Sequence, residues 1–285
     1  MRGFLRGWAK RMLPPALRQQ LKRFARRAET AGLSGQLGTD EFRQVLVKEL
    51  QLARGDTALV HASFGRLKTD FSPSIAILIL QDVVGDGGNI LMPVYPGNGD
   101  EWLAGGEIFD PMTSAISTGI LASEFVHTRD VRVSRHPIKA VAAWGKERDT
   151  LLSEHHLSRT PYDALSPYAK MLTLPNAKVV GLGTQRMSLI HCGEDAVPGY
   201  VKKFYSSRTL SGRCLDENGR VISVATRVHR SELQRKIPGV ALLSAEGCTA
   251  LQERTIDGRY YYAGDARGIY EHMRQYAQRQ IAQPR

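Results

Sequence analysis

The chain has 285 residues, 42% hydrophobic and 24% charged, enough to bury a full core as one large domain or two intimate lobes. Three scattered cysteines (Cys192, Cys214, Cys248), with neither metal nor disulfide spacing, fit a reducing cytoplasm, and no segment is long and apolar enough to span a bilayer. The net charge of +11 is local: residues 1–27 carry nine of the 39 Lys/Arg and no acid, leaving 30 basic against 28 acidic residues elsewhere.

The basic head is amphipathic. Leu13, Leu17, Leu21, Phe24 and Ala28 share one helical stripe, flanked by Arg18, Lys22, Arg23, Arg26 and Arg27, and Pro14-Pro15 open the helix. Phe4, Leu5 and Trp8 add apolar residues ahead of it. Arginines throughout and no continuous apolar core argue against a signal peptide. Three readings stay open: an interfacial helix on anionic lipid at the inner membrane face, an arm packing on the body or on a second subunit of a homo-oligomer, and a nucleic-acid contact. The last is weakest, since the body shows no nucleic-acid motif and no basic patch with interleaved aromatics, so no nucleic-acid partner is expected.

Residues 1–39 therefore divide off as arm and linker, the link itself being Gly32–Thr39, and residues 40–285 form the body. Asp40 reads as the N-cap of a helix over Glu41–Ala53. Ala58–Ala62 reads as a strand, Ser74–Val84 as a helix, Gly85–Gly88 as a turn and Asn89–Val94 as a second strand, a β–α–β order that implies a parallel pair. Tyr95–Thr113, rich in Gly and polar residues, reads as a functional loop. A helix over Thr118–His127, strands near Val131–Ser134 and Ala140–Ala143, a loop over Ser158–Pro167 and a short helix at Tyr168–Thr173 follow. Lys178–Leu182 reads as a buried strand. Beyond it lie a hairpin over Arg213–Ala225 turning at Glu217-Asn218-Gly219, a strand at Gly258–Ala263 and a closing helix at Gly268–Ala282. The fold class is α/β, a central mixed, mostly parallel sheet flanked by helices, with an α+β C-terminal part from about residue 200.

The most informative stretch is Gly183–Glu194, GTQRMSLIHCGE. His191 and Glu194, at i and i+3, share one helical face just beyond the carboxyl end of a strand, where open α/β sheets bind ligands. A neutral imidazole beside a carboxylate suits proton abstraction at neutral pH. Taken alone the spacing is a weak signal, since a solvated His–Glu pair on a surface helix has the same one. Cys192 points about 100° away from His191 on a helix, which argues against a Cys–His nucleophile pair. His155-His156 are consecutive with no third ligand nearby, so no metal is expected.

Six separated segments then occur in order: Val60-His61-Ala62-Ser63; Gly87-Gly88-Asn89-Ile90-Leu91-Met92-Pro93; Phe109-Asp110-Pro111; Ser134-Arg135-His136-Pro137 running into Ala142-Ala143-Trp144-Gly145; Thr160-Pro161-Tyr162 with Ser166-Pro167; and Leu182-Gly183 through His191 and Glu194. Together they resemble the aminoglycoside N3-acetyltransferase (antibiotic N-acetyltransferase) family, distinct from the GNAT acetyltransferases, well from Asp40 to Tyr200 and loosely beyond. The resemblance implies transfer of an acyl group from acetyl-CoA or another acyl-CoA to a primary amine. It implies His191 as the base, with Glu194 orienting the ring, stabilising the imidazolium or holding the incoming ammonium. His136 is implied as a second site histidine, and Ser63, Ser134, Tyr162 and Ser166 as contacts to the coenzyme A donor. Asp110 and Glu124 are candidates for holding the amine. Each has a plainer alternative: a loop-holding histidine, a turn aspartate, a solvated glutamate.

Two departures bear on substrate. Ala62-Ser63-Phe64-Gly65 stands where the family usually has consecutive serines, and Gln185-Arg186-Met187 are unusual before the His–x–x–Glu. Arg186 and Lys139 flank the site motifs in a nearly neutral body, whereas a site for polycations should be acidic. The expected function is acylation of a small-molecule amine, an amino sugar that is nucleotide-linked or a surface-polysaccharide precursor. The alternatives are an aminoglycoside 3-N-acetyltransferase conferring resistance and a non-catalytic binding relative.

Overall fold

The computed structural model describes residues 33, 35–96, 105–230, 233 and 237–282, so the basic amphipathic stretch of residues 13–28 lies outside the described residues. The first described helix, α1 (Thr39–Gln44), starts behind Gly38 rather than Asp40, because the Glu41 carboxylate accepts the Gly38 N–H at 3.2 Å. It gives way to a π-turn over Val45–Glu49, closed by the Leu50 N–H on the Val45 carbonyl, and ends at Gln51 with φ of 54°. This regular stretch is shorter than the one expected over residues 41–53.

The order then runs β1 (Thr57–Ala62), α2 (Pro73–Val84), β2 (Asn89–Pro93), β3 (Ile108–Phe109), α3 (Ile120–Val126), β4 (Arg132–Val133), β5 (Val141–Gly145), α4 (Arg148–Leu152) and α5 (Pro167–Lys170). It continues with β6 (Ala177–Leu182), α6 (Ile190–Asp195), α7 (Pro198–Phe204), β7 (Leu210–Leu215), β8 (Val221–Thr226), α8 (Gly239–Ala245), β9 (Leu251–Ile256), β10 (Arg259–Asp265) and α9 (Ala266–Ala282). Helix α2 is fixed at its start by the Ser72 hydroxyl accepting the Ile75 N–H, with Pro73 in the first turn where its missing donor costs nothing.

Seven strands form one sheet in the order β4-β5-β2-β1-β6-β10-β9. Its centre, β2-β1-β6, is parallel, so three carboxyl ends open on one edge. Outward from there β5, β4, β10 and β9 each run antiparallel to their inner neighbour. Alternation along the strands feeds two cores: Ala58, Val60, Ile90, Met92, Val180 and Leu182 face one, and Leu59, Leu91 and Val179 face the other. With two parallel and four antiparallel pairings the sheet is mixed rather than mostly parallel, and both faces of its parallel centre are covered.

Residues 95–113 are not wholly loop. Ile108 and Phe109 pair in parallel with Arg213 and Cys214, joining the β7–β8 hairpin as a second, three-stranded sheet. Two residues are too few to show a strand period in a sequence, which is why that pairing was not legible.

Candidate active site

The site grows from the carboxyl ends of β1 and β6. The Ser63 N–H donates to the Leu182 carbonyl at 2.8 Å, stitching the two strand ends together. Gly183 follows with φ of 70°, and a Cβ there would also stand 3.0 Å from the Ser63 carbonyl oxygen, so glycine alone turns the chain at this point. The loops after β1, β2 and β6, with the segment 117–120 leading into α3, enclose a cavity of about 850 Å³. Its walls include Ser63, Tyr95, Arg66, Arg186 and Ser188, and among the described lining residues there is no carboxylate.

From Gly183 the chain crosses this cavity to reach α6. His61 anchors the crossing: its Nε2 accepts the Ser188 N–H at 2.9 Å. Burial pushes the His61 pKa down to about 3, and the accepted hydrogen bond requires the same neutral ring.

One turn beyond Ser188, His191 Nδ1 lies 2.7 Å from Glu194 Oε2, and the other carboxylate oxygen of Glu194 accepts the Tyr200 hydroxyl at 3.0 Å. Glu194 is fully buried, whereas the His191 side chain retains 28% exposure. A carboxylate so placed takes the Nδ1–H of His191 and leaves the Nε2 lone pair to act as base. The Tyr162 ring packs 4.8 Å from the imidazole, centroid to centroid.

A third group completes this cluster. His229 reaches it through the isolated antiparallel bridge between Tyr205 and His229. Its Nε2 lies 3.7 Å from Glu194 Oε2, and its ring sits 4.8 Å from His191 and 3.9 Å from Tyr205. Burial first, then the neighbouring charges, lowers its pKa to about 4 against the pull of Glu194, so it is neutral. Nothing in the local pattern Arg227-Val228-His229 announces it. The ligand atoms of His191, Glu194 and His229 lie within 4.8 Å of one another, a set that could also receive a metal ion.

The remaining candidates fall elsewhere around the site. His136 is fully buried, stacked 4.5 Å from His155, with its Nδ1 accepting the N–H groups of Ile138 and Lys139. Ser134 donates its hydroxyl to His155 Nδ1 (2.7 Å) and accepts the Val141 N–H (2.9 Å). Ser166 caps α5 by accepting the Ala169 N–H. Asp110 holds its own turn, accepting from the Met112 N–H and the Thr113 hydroxyl. Glu124 is exposed and accepts the Ser74 hydroxyl at 2.7 Å. The structure thus brings His191, Glu194 and Tyr162 together and sets Ser63 in the cavity wall. The polar atoms of Ser134, Ser166 and Asp110 hold local structure. Cys192 is buried, which pushes its thiol well above the usual range and away from nucleophilic thiolate.

Comparison with known proteins identifies the family and the fold. The aminoglycoside 3-N-acetyltransferase family profile matches residues 59–278. No curated protein sequence matches. Among solved structures, aminoglycoside acetyltransferase AAC(3)-Xa superposes with a TM-score of 0.71 at 22% identity, over 92% of this chain and 99% of that one. AAC-IIIb, in a binary complex with CoASH, gives 0.69 at 21% identity, over 88% of this chain and 100% of that one. The YokD protein from Bacillus subtilis gives 0.73 at 18% identity, over 91% and 100%. With the profile spanning most of the chain, the protein belongs to the aminoglycoside 3-N-acetyltransferase family and is an acyl-CoA-dependent N-acyltransferase.

Proposed function

We propose that the protein transfers an acetyl group from acetyl-CoA to a primary amine of an amino sugar, with His191 as the general base. The observation that carries this reading is the His191–Glu194 pair: a buried carboxylate fixes Nδ1–H and leaves Nε2 as the base on a partly exposed ring, one turn beyond Ser188 of the cavity wall. An amine in this setting arrives as ammonium, and only its neutral form attacks a thioester. The ammonium gives up one proton to solvent, the neutral nitrogen bonds to the thioester carbon, His191 takes a second proton from that nitrogen, and Glu194 stabilises the imidazolium. Collapse breaks the C–S bond, and the departing thiolate of coenzyme A takes that proton back.

The cavity suits the donor in size, since small-molecule and cofactor sites span roughly 300–1,000 Å³. Arg66 and Arg186 on its wall are suited to the phosphates, and Ser63 and the backbone around it to the thioester end. The lack of carboxylates among its described lining residues favours an acceptor less cationic than an aminoglycoside, such as a nucleotide-linked amino sugar or another polysaccharide precursor. The basic arm would hold such an enzyme at an anionic inner membrane face. A second reading, acetylation of aminoglycosides themselves, is favoured by relatives of the same fold solved with sisomicin and with a gentamicin.

Following coenzyme A release with amino-sugar and aminoglycoside acceptors in parallel tests both readings. His191→Ala should lower turnover by at least about 10²-fold, the range for losing a general base. Full turnover by a folded His191→Ala protein would remove His191 from the mechanism. Gentamicin tolerance in an expressing bacterium, without turnover of simple amino sugars, would establish the second reading over the first.

A further inference from the structure

Lys139 is the charged side chain whose position the chemistry so far leaves unused. It directly follows the buried His136-Pro137-Ile138 segment, and its backbone N–H donates to His136 Nδ1, which fixes where the side chain departs. Its ammonium lies over the Tyr95 ring, 4.1 Å from the centroid, and Tyr95 is a wall of the cavity. Its charge also reaches the other side, where it contributes to holding both His136 and His229 neutral. Lys139 thus lies beside the cavity wall and within electrostatic reach of His229, a member of the His191–Glu194–His229 cluster. It is half-buried, and among the described residues no carboxylate pairs with it. The nearby acids are taken: Glu194 by His191 and Tyr200, and Glu217 by Arg135 at 3.1 Å.

A half-buried cation with no carboxylate partner among the described residues, resting on a ring of the cavity wall, repels a second ammonium and attracts an anion. We infer that Lys139 forms an anion-reading subsite, so that the acceptor is an amino sugar carrying a phosphate or carboxylate group near its reactive amine. Resting on the Tyr95 face pre-orders the lysine and leaves its hydrogens free to meet oxygens of the acceptor. The inference deepens the proposed acetyl transfer to an amino sugar and rests on it.

The test is a selectivity ratio. Steady-state kcat/KM is measured with acetyl-CoA and four acceptors: free glucosamine, a glucosamine phosphate monoester, UDP-glucosamine and gentamicin. The wild-type enzyme is expected to prefer an anionic acceptor over free glucosamine, with the preference shrinking as salt is raised. In Lys139→Glu the ratio of anionic to free acceptor should fall at least about tenfold, carried by KM, with gentamicin improving relative to both. Lys139→Arg should retain most of the preference and Lys139→Met should abolish it, each checked for folding by its melting temperature. The monoester and the nucleotide arms separate a phosphate beside the sugar from one in a diphosphate link. A wild-type preference for gentamicin, or ratios that Lys139→Glu and Lys139→Met leave unchanged, would overturn the subsite while acetyl transfer to the free sugar still stood. Failure of every acceptor with donor bound would overturn the underlying reading as well.

Discussion

At the scale of single residues, Glu194 organises the site. It is fully buried, it meets His191 and Tyr200 within hydrogen-bond distance, and His229 Nε2 stands 3.7 Å away. At that distance His229 Nε2 makes no hydrogen bond to the carboxylate, but its ring packs 4.8 Å from that of His191. His229 is expected to act as a positioning residue that keeps water from Glu194. His229→Ala should lower kcat by about tenfold and move the acid limb of the kcat/KM profile to lower pH, since a solvated carboxylate supports the imidazolium less strongly. A lower kcat with an unmoved limb would mark His229 as structural only. The difference in legibility between the two histidines is physical. His191 and Glu194 are one helical turn apart, so spacing alone predicts their contact, whereas His229 arrives by a bridge to Tyr205 from a distant segment. The same holds for His136. Its sequence setting marks an ordered loop, but only the fold shows it buried and stacked on His155.

Buried histidines also set the response to acid. His61 and His155 are pushed down to about 3, and His229 to about 4, each chiefly by burial. Between these values and the unfolded value of 6.5, the unfolded chain binds protons that the native state refuses. The stability they confer is therefore complete above about pH 6.5 and is lost as pH falls toward 3–4. Each histidine removes about 2 kcal/mol between pH 6.5 and 5. Asp195, pushed up to about 8 by burial, works the other way: its contribution is complete below the unfolded carboxyl value and is lost as pH rises through 8. His136, also lowered by burial, adds to the same side, and four groups against one predict a net loss, so the unfolding free energy in urea should fall by several kcal/mol from pH 7 to pH 5. A flat profile would show that these rings are not held neutral in the native state.

At the scale of elements, most of the framework was written locally: β1, α2, β2, β6 and α9 follow from apolar runs, caps and glycine turns within a residue or two. Elements that depend on distant partners were not, such as β3 on β7, and β9 beside β10. The short helix α6 is the element on which function hangs. It carries His191 and Glu194, and it can lie close to α9 because Gly193 faces that helix. A Cβ at Gly193 would stand 2.5 Å from the Tyr270 carbonyl oxygen and 2.7 Å from Met273 Cβ. Gly193→Ala should cost about 1–3 kcal/mol by overpacking, read as a lower melting temperature. It should also lower kcat more than the KM for acetyl-CoA, since the shift moves His191 while the cavity wall on β1 stays in place. Equal stability for the variant would mean that the two helices can part at no cost.

At the scale of the whole molecule, charge is divided between a basic head and a nearly neutral body. Nine cations and no acid in residues 1–27 exceed what the remaining chain carries in net charge. Among the described residues Leu33 lies nearest the head in sequence; it lines the cavity, and its carbonyl accepts the Lys68 ammonium at 3.4 Å. For a lipid surface, apolar insertion and electrostatic attraction should add, at about 1 kcal/mol per basic residue near an anionic membrane. The full chain should then co-sediment with vesicles rich in anionic lipid, release as salt is raised, and ignore neutral phosphatidylcholine vesicles. A chain lacking residues 1–32 should lose binding while keeping turnover of a soluble acceptor. If full-length protein ignored both vesicle types and instead changed its oligomeric state when the arm was removed, the arm would be a subunit contact.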